Sequence, residues 1–171
     1  MITDIVDKQF GAALCTLKYC VDKCPVDEWQ KTHGDYPFSQ VVYHTLFYTD
    51  LYLSTSLEAF KAQAFHQLNP ALFKDYEELS DRLPVNLYSK DECLSYLRHC
   101  TDTCALVLSD KDDDDLYGRP LLRPELGTRL ELHLYSLRHI QHHAAQLGLR
   151  LQLITGKELP WFWTGWKELR P

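Results

Sequence analysis

Three histidines lie within five positions of one predicted helix, where their spacing could let them hold a metal ion. The stretch "YSLRHIQHHAAQLG" covers residues 135–148 and contains no proline that would interrupt a helix. Each helical residue advances by ~100° and ~1.5 Å, so His139 and His143 lie ~40° and ~6 Å apart on one face. His142 lies ~60° to the other side of His139, which makes His139 and His142 an alternative pair. The alternative interpretation is that the three histidines form a crowded helix surface with no chemical function.

A histidine pair from one helix is a weak metal site, so a third ligand must come from elsewhere in the chain. The remaining candidates are His33, His44, His66, His99 and His133. Of these, His44 alone lies well inside an apolar, aromatic helical stretch, where an imidazole without a partner is unfavourable. His66 lies at the predicted end of that helix, and His99 is next to Arg98. We therefore predict His44 as the third ligand, the alternative being a hydrogen-bonded histidine of the core.

Three neutral imidazoles would leave the two positive charges of a divalent ion uncompensated and some of its coordination positions open. Such an ion binds water and shifts the pKa of that water toward ~7, and it equally favours an incoming thiolate or carboxylate. Nitrogen ligands suit Zn, Ni, Cu or Fe better than Mg or Ca. We expect zinc or nickel first, with iron or manganese as alternatives.

Neighbouring side chains could hydrogen-bond these ligands and orient them. The candidates are Tyr48, Glu131, Tyr135 and His142. Tyr48 follows His44 by one helical turn. Tyr135 and Glu131 precede His139 by one and two turns. Each is equally explained as a packed or solvated helix residue, and no residue is assigned as a general acid or base.

Four long helices are predicted from apolar residues that recur every three or four positions. They span residues 2–23, 38–66, 89–110 and, after Pro124, up to about residue 155. The first ends at Cys24, because a residue before proline avoids helical geometry. Ser89 and Glu92 form a capping box at the start of the third. Residues 67–88 form a long connection, with a short helix around 73–79.

The fourth helix is predicted to end before Gly156 and to bury one apolar stripe. The stripe consists of Leu130, Leu134, Leu137, Ile140, Ala144, Leu147 and Leu151. With 7 glycines and 8 prolines, the chain has little turn material for an all-β fold. We predict an all-α, four-helix bundle in which the long connection is a crossover between helices two and three.

The composition is that of one globular domain covering residues 1–171. A net charge of −6 argues against a broad, sequence-independent grip on nucleic acid. The first residues, "MITDIVDKQF", do not resemble a signal peptide, and no apolar run approaches the ~18 residues of a membrane span. We therefore expect a cytoplasmic protein without a nucleic acid or membrane partner, and we expect a homodimer through a helix face.

Six cysteines are expected to be reduced thiols in such a protein. Two pairs with a spacing of four, Cys20 with Cys24 and Cys100 with Cys104, could form a soft-metal or redox cluster. Cysteine is also a small residue that is readily buried, and this is the simpler interpretation of both pairs.

The segments "YHTLFYTDLYL" on the second helix and "HIQHHAAQ" on the fourth resemble the two signatures of the DinB-like (damage-inducible, YfiT-like) metalloprotein superfamily. The resemblance implies a four-helix bundle with a long crossover and a divalent metal held by His44, His139 and His143. Gln146 falls where the family often has Gly-Gln, although Ala145 replaces the glycine here. Relatives in this superfamily include transferases and isomerases that use low-molecular-weight thiols.

The first functional hypothesis is therefore a metal-dependent enzyme of the thiol-dependent S-transferase or hydrolase type, acting on a small molecule such as a low-molecular-weight thiol. The ion would lower the pKa of a bound thiol or water and hold the anion against an electrophile. The second hypothesis is a non-catalytic metal-binding or stress-response binding protein. The third is a helical bundle whose histidines have no function.

Overall fold

The computed structural model of this chain describes residues 1–80, 86–109 and 113–169, which form helices and no strand. The α-helices are α1 Ile2–Lys23, α2 Phe38–Leu53, α3 Leu57–Lys61, α4 Ala64–Leu68, α5 Pro70–Phe73, α6 Lys90–Ser109, α7 Arg129–Thr155 and α8 Trp166–Leu169. Short 3₁₀ helices cover Lys74–Ser80, Asp113–Tyr117 and Pro124–Leu126. The predicted all-α class is confirmed.

Several helix ends follow the local sequence as predicted. The backbone becomes extended at Cys24, before Pro25, and α1 ends there. At the start of α6, the Ser89 backbone N–H donates to the Glu92 carboxylate at 2.8 Å. The Glu92 N–H donates in return to the Ser89 hydroxyl at 3.2 Å, which completes the capping box. Gly156, with φ of 68°, ends α7 in the left-handed conformation that glycine adopts readily.

The prediction that the second helix reaches His66 is wrong, because α2 ends at Leu53. Ser54 has extended geometry, and its hydroxyl donates to the carbonyl of Asp50. Ser56 then caps the next short helix by accepting from the Ala59 N–H at 3.1 Å. Serine and threonine compete with the helix for backbone hydrogen bonds, so the run at residues 54–56 breaks it. The break turns the chain back and brings His66 against α2.

Among the described residues, the connection after α2 contains the short helices α3, α4 and α5 and a 3₁₀ segment. The short helix predicted around 73–79 is found as the end of α5 and the 3₁₀ segment Lys74–Ser80. Residues 81–85 of this connection lie outside the described residues, as does residue 110, where the third helix was predicted to end.

The four long helices pack in pairs: α1 contacts α6 and α7, and α2 contacts the same two helices. On α7, the predicted stripe is confirmed from Ile140 to Leu151, because Ile140, Ala144, Leu147 and Leu151 are all buried. Leu134 is 46% exposed, contrary to the prediction, and Leu132 is buried in its place. No helix among the described residues is long and apolar enough to cross a membrane.

Candidate metal centre

Three histidines that are far apart in the sequence meet where α2 packs against α7. His44 comes from α2, while His139 and His143 lie one turn apart on α7. One ring nitrogen from each lies within 4.8 Å of the other two. The ring centroids are 4.6–5.1 Å apart and the rings are strongly tilted to one another, so they do not stack. The three residues predicted as ligands are thus brought together at half-buried positions.

The distance between two of these nitrogens fits a shared cation. Nε2 of His139 lies 3.2 Å from Nε2 of His44. Two nitrogens that are each ~2.0–2.1 Å from a tetrahedral zinc ion would be about 3.3 Å apart. Two imidazole nitrogens at this separation either share one proton or flank a positive ion, because two lone pairs alone would repel. The donor set therefore fits a divalent metal.

A carboxylate that the sequence interpretation missed orients His44. Nδ1 of His44 lies 2.9 Å from Oε2 of Glu78, whose side chain is only 8% exposed. A carboxylate accepts, so Nδ1 carries a proton, and Nε2 is the ring atom that faces the other histidines. Carboxylate–histidine pairs of this kind commonly support metal ligands. Glu78 belongs to the 3₁₀ segment 74–80. This segment has no hydrophobic periodicity from which a contact with α2 could have been predicted.

Gln146 has the corresponding position on α7. Its side-chain Oε1 lies 2.8 Å from Nδ1 of His143, so it accepts the proton of that nitrogen and leaves Nε2 free to bind. Nδ1 of His139 is buried and has no hydrogen-bond partner among the described residues. Two of the three rings are therefore fixed by acceptors, and the third is held by its packing.

Burial keeps the α7 histidines neutral. Loss of solvent, followed by repulsion from His143, His44 and His142, lowers the pKa of His139 to about 3. Loss of solvent also dominates at His143 and lowers its pKa to about 4, against a raising effect of the hydrogen bond to Gln146. Neutral imidazole is the form that binds metal, so these two candidate ligands need no deprotonation at neutral pH.

The other predicted neighbours differ in their distance from the centre. The Tyr48 ring lies 4.9 Å from that of His44 and 5.7 Å from that of His139, and its hydroxyl donates to the Glu78 carbonyl at 2.9 Å. His142 is exposed and contacts only the edge of this group, with its ring 5.0 Å from that of His143.

Two of the predicted neighbours lie away from the three histidines. Tyr135 packs against Tyr52 at 5.5 Å instead of hydrogen-bonding a ligand. Glu131 is exposed in the first turn of α7, about 12 Å along the helix from His139 at ~1.5 Å per residue. No described hydrogen bond joins its carboxylate to a histidine. Neither residue hydrogen-bonds a candidate ligand among the described contacts, so neither prediction of a supporting role is borne out.

A second group of ionisable side chains was not predicted: Asp50 on α2, His66 on α4 and His99 on α6 could also hold a metal ion by their proximity. The side chains of Asp50 and His66 are fully buried, with Nε2 of His66 2.8 Å from Oδ2 of Asp50. Nε2 of His99 lies 3.5 Å from Oδ1. The available indication was a carboxylate inside an apolar helix, which requires a buried partner.

Hydrogen bonds already saturate this second group. The Asp50 carboxylate also accepts from the Tyr96 hydroxyl at 3.0 Å and from Nε2 of Gln63 at 2.9 Å. His99 Nε2 lies 2.6 Å from Oε1 of Gln63. Burial alone would raise the pKa of Asp50, but the bonds from His66, His99 and Gln63 outweigh it, and the pKa is lowered. The carboxylate is stabilised as an anion by its protein partners alone.

The cysteines fit the simpler of the two sequence interpretations. All six are buried free thiols. Burial raises the pKa of Cys20 to about 12 and that of Cys24 to about 11. Such thiols are poor nucleophiles and poor metal ligands at neutral pH. Among the described residues, no cysteine belongs to a group that could hold a metal ion.

Comparison with known proteins adds no relative: no family model matches the chain, and neither a curated protein nor a solved structure is significantly similar to it.

Proposed function

We propose that this protein binds one divalent metal ion through His44, His139 and His143 and uses it as an enzyme on a small molecule. The observation that carries the proposal is the 3.2 Å separation of the His44 and His139 Nε2 atoms. Acceptors at Nδ1 of His44 and His143 fix the two rings so that Nε2 is the binding atom. Zinc or nickel fits three imidazoles best, with iron or manganese as alternatives.

The shape of the site favours an enzyme over a structural metal centre. Structural zinc sites usually have four protein ligands, whereas catalytic ones keep a position open for water or substrate. Among the described residues, no fourth metal-binding side chain belongs to the group of His44, His139 and His143. The His44 side chain is 34% exposed, so a small molecule can reach the ring from solvent.

An ion at this site would supply positive charge that lowers the pKa of a thiol or water held there. The protein's own contribution is to keep His139 and His143 neutral, to orient the His44 and His143 rings, and to exclude part of the solvent. We propose a low-molecular-weight thiol as co-substrate and a thiol-dependent transfer as the reaction. In that transfer, the thiol sulfur forms a bond to an electrophilic atom, the leaving group departs with its electron pair, and the thiol proton passes to water. Hydrolysis follows the same scheme with water as the nucleophile.

We also propose that the chain is a DinB-like four-helix bundle. The contacts of α1 and α2 with α6 and α7 support this arrangement, because they connect the four long helices in a closed ring. The placement of one histidine on the second long helix and an H-x-x-x-H pair on the fourth supports it as well. A crystal structure of the metal-loaded protein would test both the bundle and the ligand set.

A thermal-shift experiment tests the enzymatic proposal against a binding role. Untagged protein is loaded with zinc or nickel, or stripped with chelator, and melted with a panel of low-molecular-weight thiols and electrophiles. A thiol that stabilises only the metal-loaded form, and is consumed when a matching electrophile is added, supports the enzyme. Stabilisation without turnover favours the non-catalytic binding protein. Absence of bound metal after loading with zinc and after loading with nickel contradicts the proposed function as a whole.

A further inference from the structure

The segment Lys74–Ser80 connects the two histidine groups of this protein. Its Glu78 carboxylate pairs with Nδ1 of His44 at 2.9 Å, and the Glu78 carbonyl accepts from the Tyr48 hydroxyl. Two residues earlier, the hydroxyl oxygen of Tyr76 lies 3.2 Å from Nδ1 of His66. One short segment is thus held at one end by the candidate metal centre and at the other by the Asp50 group.

The Asp50 group has the properties of an anchor. The other nitrogen of His66 donates to the buried Asp50 carboxylate at 2.8 Å. The His66 ring stacks on Phe73 at 3.7 Å, immediately before the segment begins. All these partners lie in the core or at its edge, and the carboxylate is bonded from three further side chains. An anchor of this kind resists displacement, because breaking one bond leaves a buried polar group unpaired.

The backbone of Tyr76 gives independent evidence that the segment is held in place. Its φ is 55°, a left-handed conformation that a tyrosine adopts at a cost in free energy. Such residues persist where surrounding contacts over-determine them. The Tyr76 ring also packs between Phe60 and Phe73, at 5.7 and 5.9 Å. The contacts made by the ring and the hydroxyl account for this conformation.

We infer that the chain Asp50–His66–Tyr76 is a positioning network, which holds segment 74–80 so that Glu78 reaches His44 and orients it for the metal. This inference rests on the proposed metal-binding function and adds that residues outside the three-histidine group set the affinity of the site for its metal ion. It also assigns the second histidine group to support of the first, rather than to a second ion. Tyr76, His66 and Asp50 are positioning residues, because none of them lies within the three-histidine group.

A double-mutant cycle on the full-length protein tests the inference. Tyr76→Phe removes only the hydroxyl, and Glu78→Ala removes the carboxylate. Zinc affinity is measured by competition with a chromophoric chelator, and the cobalt-substituted spectrum reports the ligand geometry. We expect Glu78→Ala to weaken binding by roughly 10- to 100-fold, as for other supporting partners of metal ligands. Tyr76→Phe should weaken it by about 3- to 10-fold.

The double variant should bind no more weakly than Glu78→Ala alone, because both changes act through the same contact. The tautomer of His44, read by ¹⁵N NMR on metal-free protein, should shift toward a mixture in both single variants. Tyr43→Phe is the matched control, since its hydroxyl donates to the Leu72 carbonyl and also ties α2 to the connection. It should lower the melting temperature and leave zinc affinity unchanged.

Three results would overturn the inference while leaving the metal site intact: wild-type affinity in Tyr76→Phe, losses in the double variant that multiply, or an equal loss of affinity in Tyr43→Phe. Failure of the wild-type protein to bind zinc or cobalt at all would instead contradict the proposed function. The two failures are therefore separate observations.

Discussion

The two histidine groups of this protein have similar composition but opposite hydrogen bonding. In the group of Asp50, His66 and His99, protein donors surround the carboxylate, and the ring nitrogens that face it are already paired. In the group of His44, His139 and His143, acceptors occupy the outer nitrogens of two rings, and the inner nitrogens face one another. Proximity of potential ligands is therefore a weak criterion. The direction in which lone pairs point distinguishes a metal site from a structural network.

The largest difference between the groups should appear on removal of a ligand. His44→Ala or His139→Ala should lower zinc affinity by at least about 10⁴-fold, which corresponds to roughly 5.5 kcal/mol. His142→Ala, one position from His143 and exposed, is the matched control and should retain bound metal. Chelator competition measures the affinity, and elemental analysis of the untagged variants measures how much metal each retains. Full metal content in His44→Ala would refute the ligand set.

Asp50→Asn should have its main effect on stability. The change leaves a buried histidine facing an amide, and leaving a buried hydrogen-bonding group unsatisfied typically costs about 1–3 kcal/mol of unfolding free energy. Denaturant unfolding of the metal-free protein measures this loss, with the exposed Asp4→Asn as control, for which we expect less than about 0.5 kcal/mol. At saturating zinc, folded Asp50→Asn should still bind one ion. Complete loss of metal from the folded variant would show that Asp50 is a ligand and that the Asp50 group is the metal site.

The helix assignments show how far the sequence could predict this fold. Apolar periodicity identified α1, α6 and α7, and local capping residues placed their ends at Cys24, Ser89 and Gly156. Apolar periodicity did not predict the end of α2 at Leu53. There, serine and threonine side chains and the hydrogen bond between His66 and Asp50 override the apolar pattern.

The candidate site was predictable only in part for the same reason. A helix face is encoded locally, so the pairing of His139 with His143 could be read from their spacing. Glu78 lies in a segment without periodicity, 34 residues from His44, and only the folded chain brings the two together. Tertiary contacts that join irregular segments to helices leave no repeating pattern in the sequence.

The two groups should also respond to pH in different ranges. Unfolded histidines titrate near 6.5, whereas folded His139 and His143 titrate near 3 and 4. Between these values the unfolded chain binds more protons, so stability is fully present above pH 6.5 and falls as the pH drops toward 4. The slope is at most about 1.4 kcal/mol per pH unit for each histidine, and less because both remain partly in contact with solvent. The lowered pKa of Asp50 adds its own loss only below its ordinary value of 3.8.

Denaturant unfolding in chelator from pH 7 to 4 measures this dependence. His139→Asn with His143→Gln should flatten the curve between pH 6.5 and 4. An unchanged slope in the double variant would show that these rings do not become neutral on folding.

The smallest expected effect is that of Tyr48→Phe. The variant removes the hydroxyl bond to the Glu78 carbonyl and keeps the ring contacts with His44. A single neutral hydrogen bond contributes about 0.5–1.5 kcal/mol, so zinc affinity should fall by about threefold. Chelator competition, with Tyr36→Phe as the surface control, has the precision to detect this. A loss as large as that of Glu78→Ala would contradict the small supporting role assigned to this hydroxyl.

X-ray absorption at the metal edge of untagged, metal-loaded protein tests most directly whether the three imidazoles share one ion. We predict about one ion per chain, with three nitrogen scatterers that show imidazole multiple scattering at ~2.0–2.1 Å. A sulfur shell near ~2.3 Å, or a spectrum with one carboxylate and two imidazoles that disappears in Asp50→Asn, would place the ion elsewhere and contradict the three-histidine centre.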